Sequence, residues 1–418
     1  MNYENMPQKN IFCIDMKCFY ASCMAALYGL DVMTTPIAVV ANFEQPGSVV
    51  LAASPVMKEK YKIKTGNRRY EIPKDPAIKL FEPKMSYFIE MSMAITRLIA
   101  QFVPPEAIHV YSVDESFVDL TGTERLWGSP EEAALAIQEA IYLQFKIPSA
   151  LGMGPNMLMA KLALDLDAKK TGFAKWTYED IPEKLWPIRP LSSMWGIGSR
   201  MEANLNNMGI FSVGDLANAD LKTLEAKFGI MGNQLYHHAW GIDLSTLGEP
   251  IVKGQISFGK GQMLMRDYHT RNDIAAVLLE MCEDVMRRTR EAGYVGRTIT
   301  LGLSYSDRAM TKGFYRSKTI EAPTNETMVM YRTCMELLNQ HFEGEPARQL
   351  SVRLTNLEPE RSIQLDLFDT RKEKRQILGH TMDSIRAKFG ATSLLRAISY
   401  TDAGTAIKRE RLVGGHLA

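Results

Sequence analysis

Two adjacent carboxylates interrupt an apolar, β-prone run that extends from residue 108 to residue 120. An unpaired carboxylate is costly to bury, so Asp114 and Glu115 require a cation, and a divalent metal is the usual one because hard ions take oxygen ligands. Successive residues on a straight strand point to opposite faces, so both side chains reach one ion only where the chain turns or bulges. The pair therefore predicts the tip of a β-hairpin with a metal site. A turn with two solvated acids is the alternative.

The length of 418 residues predicts about two to four domains, and 46% hydrophobic with 23% charged residues is typical of a folded globular protein. The formal net charge of +1 neither favours nor excludes nucleic acid, because a local basic surface is what binds phosphates.

None of the five cysteines forms a CxxC pair, which indicates a reduced, cytoplasmic protein without structural disulfides or a zinc site. The polar first ten residues and the lack of a long apolar run predict neither a signal peptide nor a membrane span.

Strand and helix patterns alternate through the first 170 residues. An apolar strand over residues 11–14 ends at Asp15, and this acid is either a ligand at a strand end or a plain helix-start charge. The basic stretch 58–69 is either a solvated helix face or a phosphate-binding surface. Further strands are predicted at 36–40, 49–53 and 150–154, and helices at 83–102, 130–145 and 156–170. This order predicts an α+β domain with an antiparallel sheet.

A Gly-x-Gly turn between two predicted helices follows a proline-punctuated connection. Gly196 and Gly198 precede Ser199 and a helix predicted over residues 201–208, whose first backbone N–H groups can bind a phosphate. This form is typical of a helix-hairpin-helix, which grips a nucleic-acid backbone without reading its sequence. A simple αα-hairpin is the alternative.

A separate α/β module of about 100 residues is predicted after a linker. Arg316 and Lys318 alternate along its predicted strand 313–320, so they share a face, and we expect that face to lie across a duplex groove and contact phosphates. The other predicted strands are 254–258, 297–305 and 350–354, and the predicted helices are 272–292 and 324–342.

An apolar peptide lies in the polar segment after this module, and a basic helix is predicted behind it over residues 371–389. The residues of the peptide are Gln364, Leu365, Asp366, Leu367 and Phe368. Because the segment has no core of its own, we expect the peptide to anchor in a pocket of a partner protein. Packing on the preceding module is the alternative.

Several chemistry-bearing motifs are missing from the sequence, and their absence narrows the function. There is no GxxxxGK(S/T) phosphate loop, no HExxH zinc motif and no GxSxG nucleophile elbow. Three acids remain, Asp15, Asp114 and Glu115, with lysines near them. Carboxylates without histidine suit Mg²⁺ bound to phosphates, as in a two-metal site.

Two stretches carry a family resemblance: Asp15 with the following run Phe19-Tyr20-Ala21-Ser22-Cys23, and residues 112–120 around the acid pair. With the Gly-x-Gly hairpin and the 364–368 peptide in the same order, the chain resembles the Y-family of translesion DNA polymerases, in its bacterial UmuC-like branch. The resemblance implies an α+β multidomain right-hand polymerase with an antiparallel-sheet palm, small fingers, a helix-hairpin-helix thumb and an α/β little finger. The implied boundaries are palm 1–18 and 85–173, fingers 19–84, thumb 174–243, linker 244–255, little finger 256–359 and a tail with a clamp-binding motif 360–418.

The resemblance also implies a role for each matching residue. Asp15, Asp114, Glu115 and the backbone carbonyl of Met16 would hold two Mg²⁺ ions. Tyr20 would be the steric gate that rejects a ribose 2′-OH. Among the nucleotide contacts, Phe19 would pack beside Tyr20. In the palm, Lys169 would contact the triphosphate, with Lys170 one position away. In the fingers, the contact would be either Lys58 or Lys60. The DNA contacts would be Gly196, Gly198, Ser199, Arg316 and Lys318, and the 364–368 peptide would bind the β sliding clamp.

The function implied is error-prone, template-directed addition of dNTPs to a primer 3′-OH opposite damaged DNA, in the mutagenic SOS repair of bacteria. The implied partners are primer-template DNA, dNTP and the β sliding clamp, with RecA and a UmuD-like subunit as further candidates. Two alternatives belong to other classes. One is a catalytically inactive DNA-binding relative that acts as a clamp-recruited accessory protein, and the other is a nuclease that uses the same acids.

Overall fold

The computed structural model describes residues 3–249, 257–306, 309–360 and 371–417. These residues form two compact units, one before residue 250 and one between residues 257 and 415. Both units combine sheets and helices, so the predicted α+β class is confirmed. Across the described ranges, no helix is long and apolar enough to cross a membrane.

The first unit contains a five-stranded sheet in the order β5-β6-β1-β7-β8 and a three-stranded sheet in the order β3-β2-β4. The strands are β1 (Ile11–Met16), β2 (Ile37–Val40), β3 (Val50–Ala53), β4 (Lys79–Phe81), β5 (Ile108–Val110), β6 (Glu115–Asp119), β7 (Ser149–Gly154) and β8 (Phe173–Lys175). The helices are α1 (Phe19–Leu27), α2 (Pro55–Lys60), α3 (Met85–Ile99), α4 (Glu124–Trp127), α5 (Pro130–Phe145), α6 (Met157–Ala163), α7 (Lys169–Thr171), α8 (Ser199–Asn206), α9 (Val213–Ala217), α10 (Leu221–Phe228) and α11 (Ile230–Ala239).

Strand β1 is the centre of the five-stranded sheet. Its apolar residues between Ile11 and Ile14 are completely buried because both faces of the strand are covered. It pairs antiparallel with β6 and with β7, while β7 adds β8 in parallel at one edge. The sheet is therefore antiparallel, as predicted, except at that edge.

Helix α6 lies directly against β7 because two glycines of the strand carry no Cβ. A Cβ at Gly152 would lie 2.3 Å from the carbonyl oxygen of Ala160, and one at Gly154 would lie 2.5 Å from the Ala160 nitrogen. The helix predicted over 156–170 is confirmed, but a π-helical turn, Leu164–Ala168, separates α6 from α7. This close contact places the side chains of α6 beside the end of β1.

Helices α8 to α11 form a cluster around a separate apolar core that includes Leu205, Val213, Leu216 and Leu224. Helix α8 confirms the helix predicted over 201–208, although it begins at Ser199. The helix predicted before the glycine turn is only a 3₁₀ turn, Leu191–Ser193.

The second unit is an antiparallel sheet in the order β11-β10-β12-β9, with helices on one face. Its strands are β9 (Phe258–Tyr268), β10 (Tyr294–Tyr305), β11 (Phe314–Thr324) and β12 (Ala347–Pro359), and its helices are α12 (Arg271–Glu291), α13 (Thr327–His341), α14 (Lys372–Phe389) and α15 (Ala406–Arg409). Two short strands, β13 (Leu412–Val413) and β14 (His416–Leu417), follow near the end of the chain. Residues 254–256 of the predicted strand 254–258 lie outside the described residues, and β9 begins at Phe258.

The segment after residue 370, predicted as a basic tail, packs on α12 within the second unit. Asp383 of α14 accepts hydrogen bonds from Arg290 of α12 at 2.7 and 3.1 Å. Glu283 of α12 accepts from both Arg386 and Arg396 at 3.0 Å. Over its described part, this segment is therefore an added layer of the second unit, held by buried charge pairs.

Candidate active site

Asp15 and Glu115 stand opposite each other where two neighbouring strands meet a turn. They are register partners in the antiparallel pair of β1 and β6, so both side chains lie on the same face of the sheet. The turn is closed by the N–H groups of Tyr111 and Ser112, which both donate to the carbonyl oxygen of Glu115 at 3.0 Å. The hairpin tip predicted at Asp114 and Glu115 is confirmed.

Asp114 joins the two other acids from the last position of the turn. Its carboxylate accepts a hydrogen bond from Ser112 Oγ at 2.6 Å, and its carbonyl oxygen accepts one from the N–H of Met16 at 2.9 Å. Burial raises the pKa of Asp15 to about 6; Lys169 lowers that pKa, and the charges of Asp114 and Glu115 raise it again. The three acids therefore repel one another, and a cation among them would favour the ionised form of Asp15.

Two lysines of the α6–α7 region offset this charge. Lys161 Nζ lies 2.6 Å from Glu115 Oε1 and 3.2 Å from Asp165, while Lys169 Nζ lies 2.8 Å from Asp165 and 3.5 Å from Asp15. Burial alone would lower the pKa of Lys161, but the ion pair with Glu115 and the charge of Asp165 outweigh it, so the pKa is raised. Of Lys169 and its neighbour Lys170, it is Lys169 whose ammonium group is directed at the acids.

The acids do not yet form a metal cage in this arrangement. Within the ranges that the structure describes, no three acidic, histidine or cysteine side chains are grouped closely enough to hold an ion. Glu115 Oε1 contacts Lys161 and accepts a hydrogen bond from Cys13 Sγ, which lies 2.9 Å away. The donor set nonetheless fits Mg²⁺, because carboxylate and carbonyl oxygens are the ligands that this ion takes.

Tyr20 lies at the start of α1, close to the acids. Its ring stacks on that of Phe88 from α3, with centroids 4.5 Å apart and planes inclined by 13°. Burial raises the pKa of Tyr20, and the nearby charge of Asp114 raises it further. Phe19, by contrast, is only 3% exposed, so its side chain packs in the core and only its backbone is available to a nucleotide.

The structure separates the two finger lysines that the sequence left open. Lys58 Nζ lies 3.1 Å from Cys18 Sγ, in the turn between β1 and α1, and so reaches the active-site side of the unit. Lys60 instead lies over the ring of Tyr61, 4.8 Å from its centroid. Of the two lysines, it is therefore Lys58 that contacts the turn after β1.

The Gly-x-Gly turn, residues 196–198, has two exposed glycines and lies close to the β5–β6 hairpin. Gly196, Gly198 and Ser199 are exposed, and Gly198 is the N-cap of α8, so no side chain caps the first N–H groups of that helix. Trp195, just before the turn, contacts Tyr111 of the hairpin edge-on, with ring centroids 5.9 Å apart. Uncapped N–H groups are therefore exposed at the start of α8, where a phosphate can bind them.

Arg316 and Lys318 share a face of β11, as predicted, and both side chains are exposed; their contact with DNA stays a prediction. Lys318 pairs in register with Ile299, a fully buried core residue, and its Nζ lies 2.5 Å from Glu336 of α13. Both basic side chains therefore lie on the helix-covered side of the sheet. Alternation alone predicts that two residues share a face, but not which face is covered. The open face is lined by Thr298, Thr300, Ser317, Thr319 and Arg353.

Sequence reasoning did not assign site roles to Lys161, Asp165, Cys13, Phe88 or Trp195. A signal existed for Lys161, because every other residue of α6 is apolar and a lysine is rarely buried without a partner. No local signal identifies Phe88 or Trp195, whose partners lie far away in the sequence. The predicted clamp-binding peptide, 364–368, lies outside the described residues.

Comparisons with known proteins match most of the chain. The impB/mucB/samB family model matches residues 14–165, its C-terminal domain model matches 255–367, and the IMS family HHH motif matches 178–210. A Bacillus subtilis (strain 168) protein named for UV-damage repair, UvrX, is 54% identical, covering 100% of this chain and 99% of the relative. DNA polymerase IV 2 of the same organism is 37% identical over 98% of this chain and 99% of its own length. Among solved structures, a Y-family DNA polymerase chimera of Dbh and Dpo4 matches with a TM-score of 0.64 at 20% identity, over 83% of this chain and 98% of that one.

Proposed function

The chain belongs to the impB/mucB/samB family of Y-family DNA polymerases, and from this premise we propose that it copies damaged template bases in an error-prone manner. It is a DNA-directed DNA polymerase, whose substrates are primer-template DNA and dNTP. One observation carries the proposal: the β1–β6 pair brings Asp15, Asp114 and Glu115 together beside Tyr20 and Lys169.

The reaction joins the primer 3′-OH to the α-phosphorus of the dNTP, the bond to the β-phosphate breaks, and pyrophosphate leaves. Asp15, Asp114, Glu115 and the Met16 carbonyl would hold two Mg²⁺ ions, which when bound lower the pKa of the attacking hydroxyl and offset the phosphate charge. Lys169, beside Asp15, and Lys58, beside Cys18, would bind the triphosphate oxygens, which orients the α-phosphorus toward the primer.

Tyr20 would act as the steric gate for the sugar. Its stacking on the buried ring of Phe88 limits how far it can yield, so a ribose 2′-OH would clash with it while a deoxyribose fits. The discrimination would come from shape and would not need a hydrogen bond to the sugar.

DNA would be held mainly through its phosphates. The uncapped start of α8 offers exposed backbone N–H groups. The open sheet face of the second unit offers exposed small hydroxyl side chains such as Ser317 and Thr319, together with the exposed Arg353. Contacts of this kind do not depend on base identity, which suits a polymerase that accepts distorted templates.

The cellular setting that we propose is the bacterial SOS response, in the cytoplasm. The 364–368 peptide would bind the β sliding clamp, and RecA and a UmuD-like subunit are proposed as further partners. Replacing Leu367 and Phe368 with Ala should abolish stimulation by the clamp and leave distributive synthesis intact.

The test is extension of a labelled primer past an abasic site and past a thymine dimer, with Mg²⁺ and dNTP. Wild-type protein should extend the primer and Asp114→Asn should not. If the two proteins behave alike, the chain is an inactive accessory relative. If the primer becomes shorter without any need for dNTP, the acids serve a nuclease instead.

A further inference from the structure

Lys161 is buried where helix α6 meets the three acids Asp15, Asp114 and Glu115, which we call the acid group. Its side chain is 7% exposed, and its Nζ lies 2.6 Å from Oε1 of Glu115, which is itself 9% exposed. The other residues of α6 are apolar, and the helix is pressed onto β7 at Gly152 and Gly154. The ammonium group is therefore placed by helix packing and cannot turn out to solvent.

Glu115 already has two protein partners on the same oxygen. Oε1 is 2.6 Å from Lys161 Nζ and accepts a hydrogen bond from Cys13 Sγ, 2.9 Å away. Asp15, its register partner, has a looser contact with Lys169 at 3.5 Å. Lys161 thus supplies to Glu115 the positive charge that a divalent ion would otherwise supply.

We propose that Lys161 is a positioning residue that acts as the built-in counter-ion of Glu115 and competes with divalent metal for this carboxylate. The proposal rests on the proposed role of Asp15, Asp114 and Glu115 in holding metal. A fixed positive charge close to a metal site weakens cation binding by repulsion, and the ion must also take Glu115 out of a buried ion pair. Lys161 therefore keeps the affinity for metal alone low, so that full metal binding waits for the negative triphosphate of the nucleotide.

The test measures binding of Mn²⁺ alone to the full chain, without DNA or nucleotide, by electron paramagnetic resonance. Lys161→Gln removes the charge and keeps a hydrogen-bond donor for Glu115, and we expect its Kd for Mn²⁺ to fall about tenfold. Lys161→Arg keeps the charge and should stay near wild type. Lys175→Gln is the matched control, because Lys175 pairs with Glu131 at the surface, and its Kd should change by less than about twofold.

Unchanged or weaker Mn²⁺ binding by folded Lys161→Gln would overturn the proposal while leaving the metal site itself intact. If neither wild type nor Lys161→Gln binds Mn²⁺ alone, the proposal is overturned, and the metal site of the proposed function falls only if Mn²⁺ also fails to bind in the presence of DNA and dNTP. If Lys161→Gln does not fold, the proposal is tested on the wild-type protein by NMR. Its buried ammonium gives a ¹H–¹⁵N signal, assigned by its loss in Lys161→Arg. Saturating Mg²⁺ must shift this signal, and a signal that does not move contradicts the competition.

Discussion

Asp15 and Glu115 are register partners across β1 and β6, yet they differ in how they are neutralised. Glu115 has a buried ammonium at 2.6 Å, whereas the nearest cation to Asp15 is Lys169 at 3.5 Å, which is itself partly exposed and shared with Asp165. Burial, with the charges of Asp114 and Glu115, therefore raises the pKa of Asp15 to about 6, although Lys169 opposes the shift. The negative charge of Asp15 is therefore disfavoured by the neighbouring charges of Asp114 and Glu115.

Removing the charge of Asp15 should stabilise the metal-free protein at neutral pH. The folded-state pKa lies above the ordinary value, so the stability that the protonated group contributes at low pH is lost as pH rises through about 6. We expect Asp15→Asn to exceed wild type by about 2 kcal/mol in free energy of unfolding at pH 8, and to match it below about pH 4. Urea unfolding across this range measures the gap. Asp402→Asn, at an exposed position, is the control, and a gap of equal size at every pH would contradict the prediction.

Loosening the support of Tyr20 should weaken sugar discrimination. Tyr20→Ala removes the ring and should raise the ratio of ribonucleotide to deoxynucleotide incorporation by about 10- to 100-fold, since a steric clash of a few kcal/mol is lost. Phe88→Leu keeps the gate but removes the stacked surface behind it, and should give a smaller rise. Tyr28→Ala, which removes a similar stack on Phe81 elsewhere, serves as the control. Single-nucleotide insertion kinetics give the ratios, and equal ratios in all four proteins would exclude a steric gate at Tyr20.

The two finger lysines should differ in their effect on nucleotide binding. Lys58 reaches the turn before α1, whereas Lys60 lies over Tyr61. Lys58→Ala should raise KM for dNTP by about tenfold through loss of a charge-assisted phosphate contact, and Lys60→Ala should change it by less than about twofold. Steady-state insertion on undamaged template provides the measurement. The reverse order of effects would mean that Lys60 turns toward the triphosphate when DNA is bound.

Breaking the charge pairs that hold the C-terminal segment should destabilise the second unit. Glu283 is buried and accepts from Arg386 and Arg396, so Glu283→Ala leaves two arginines without their carboxylate and should cost about 3–5 kcal/mol. Glu336→Ala removes the exposed partner of Lys318 and should cost less than about 1 kcal/mol. Denaturant unfolding compares the two, and similar costs would show that burial does not strengthen the Glu283 pairs.

DNA affinity should depend on the open face of the second unit's sheet. Arg353 is exposed on that face, opposite Thr300 in register, whereas Lys318 is turned toward α13. Arg353→Ala should weaken DNA binding and reduce the slope of log Kd against log salt by about one phosphate contact, and Lys318→Ala should alter neither. Fluorescence anisotropy at several salt concentrations distinguishes them. A larger effect at Lys318 would show that the face of β11 with Arg316 and Lys318 contacts DNA instead.

Most secondary structure in the first unit follows from local pattern. The helix predicted over residues 130–145 begins at Pro130, and Ser129 before it caps its N-terminus. Helix α5 forms over this same range. The patterns are not sufficient where partners are remote. A period of two places Arg316 and Lys318 on one face of β11, but only the packing of α13 shows that this face lies on the helix side.

The sequence by itself determined that Asp15 lies near the end of one strand and that Asp114 and Glu115 interrupt another, although it left open whether these acids face solvent or a cation. Only the tertiary structure decided which cations serve them. Gly152 and Gly154 let α6 approach β7, and this approach puts Lys161 against Glu115 and leaves Asp15 with the more distant Lys169. The reason is that a salt bridge between residues distant in sequence depends on the distance between packed elements, which no local pattern specifies.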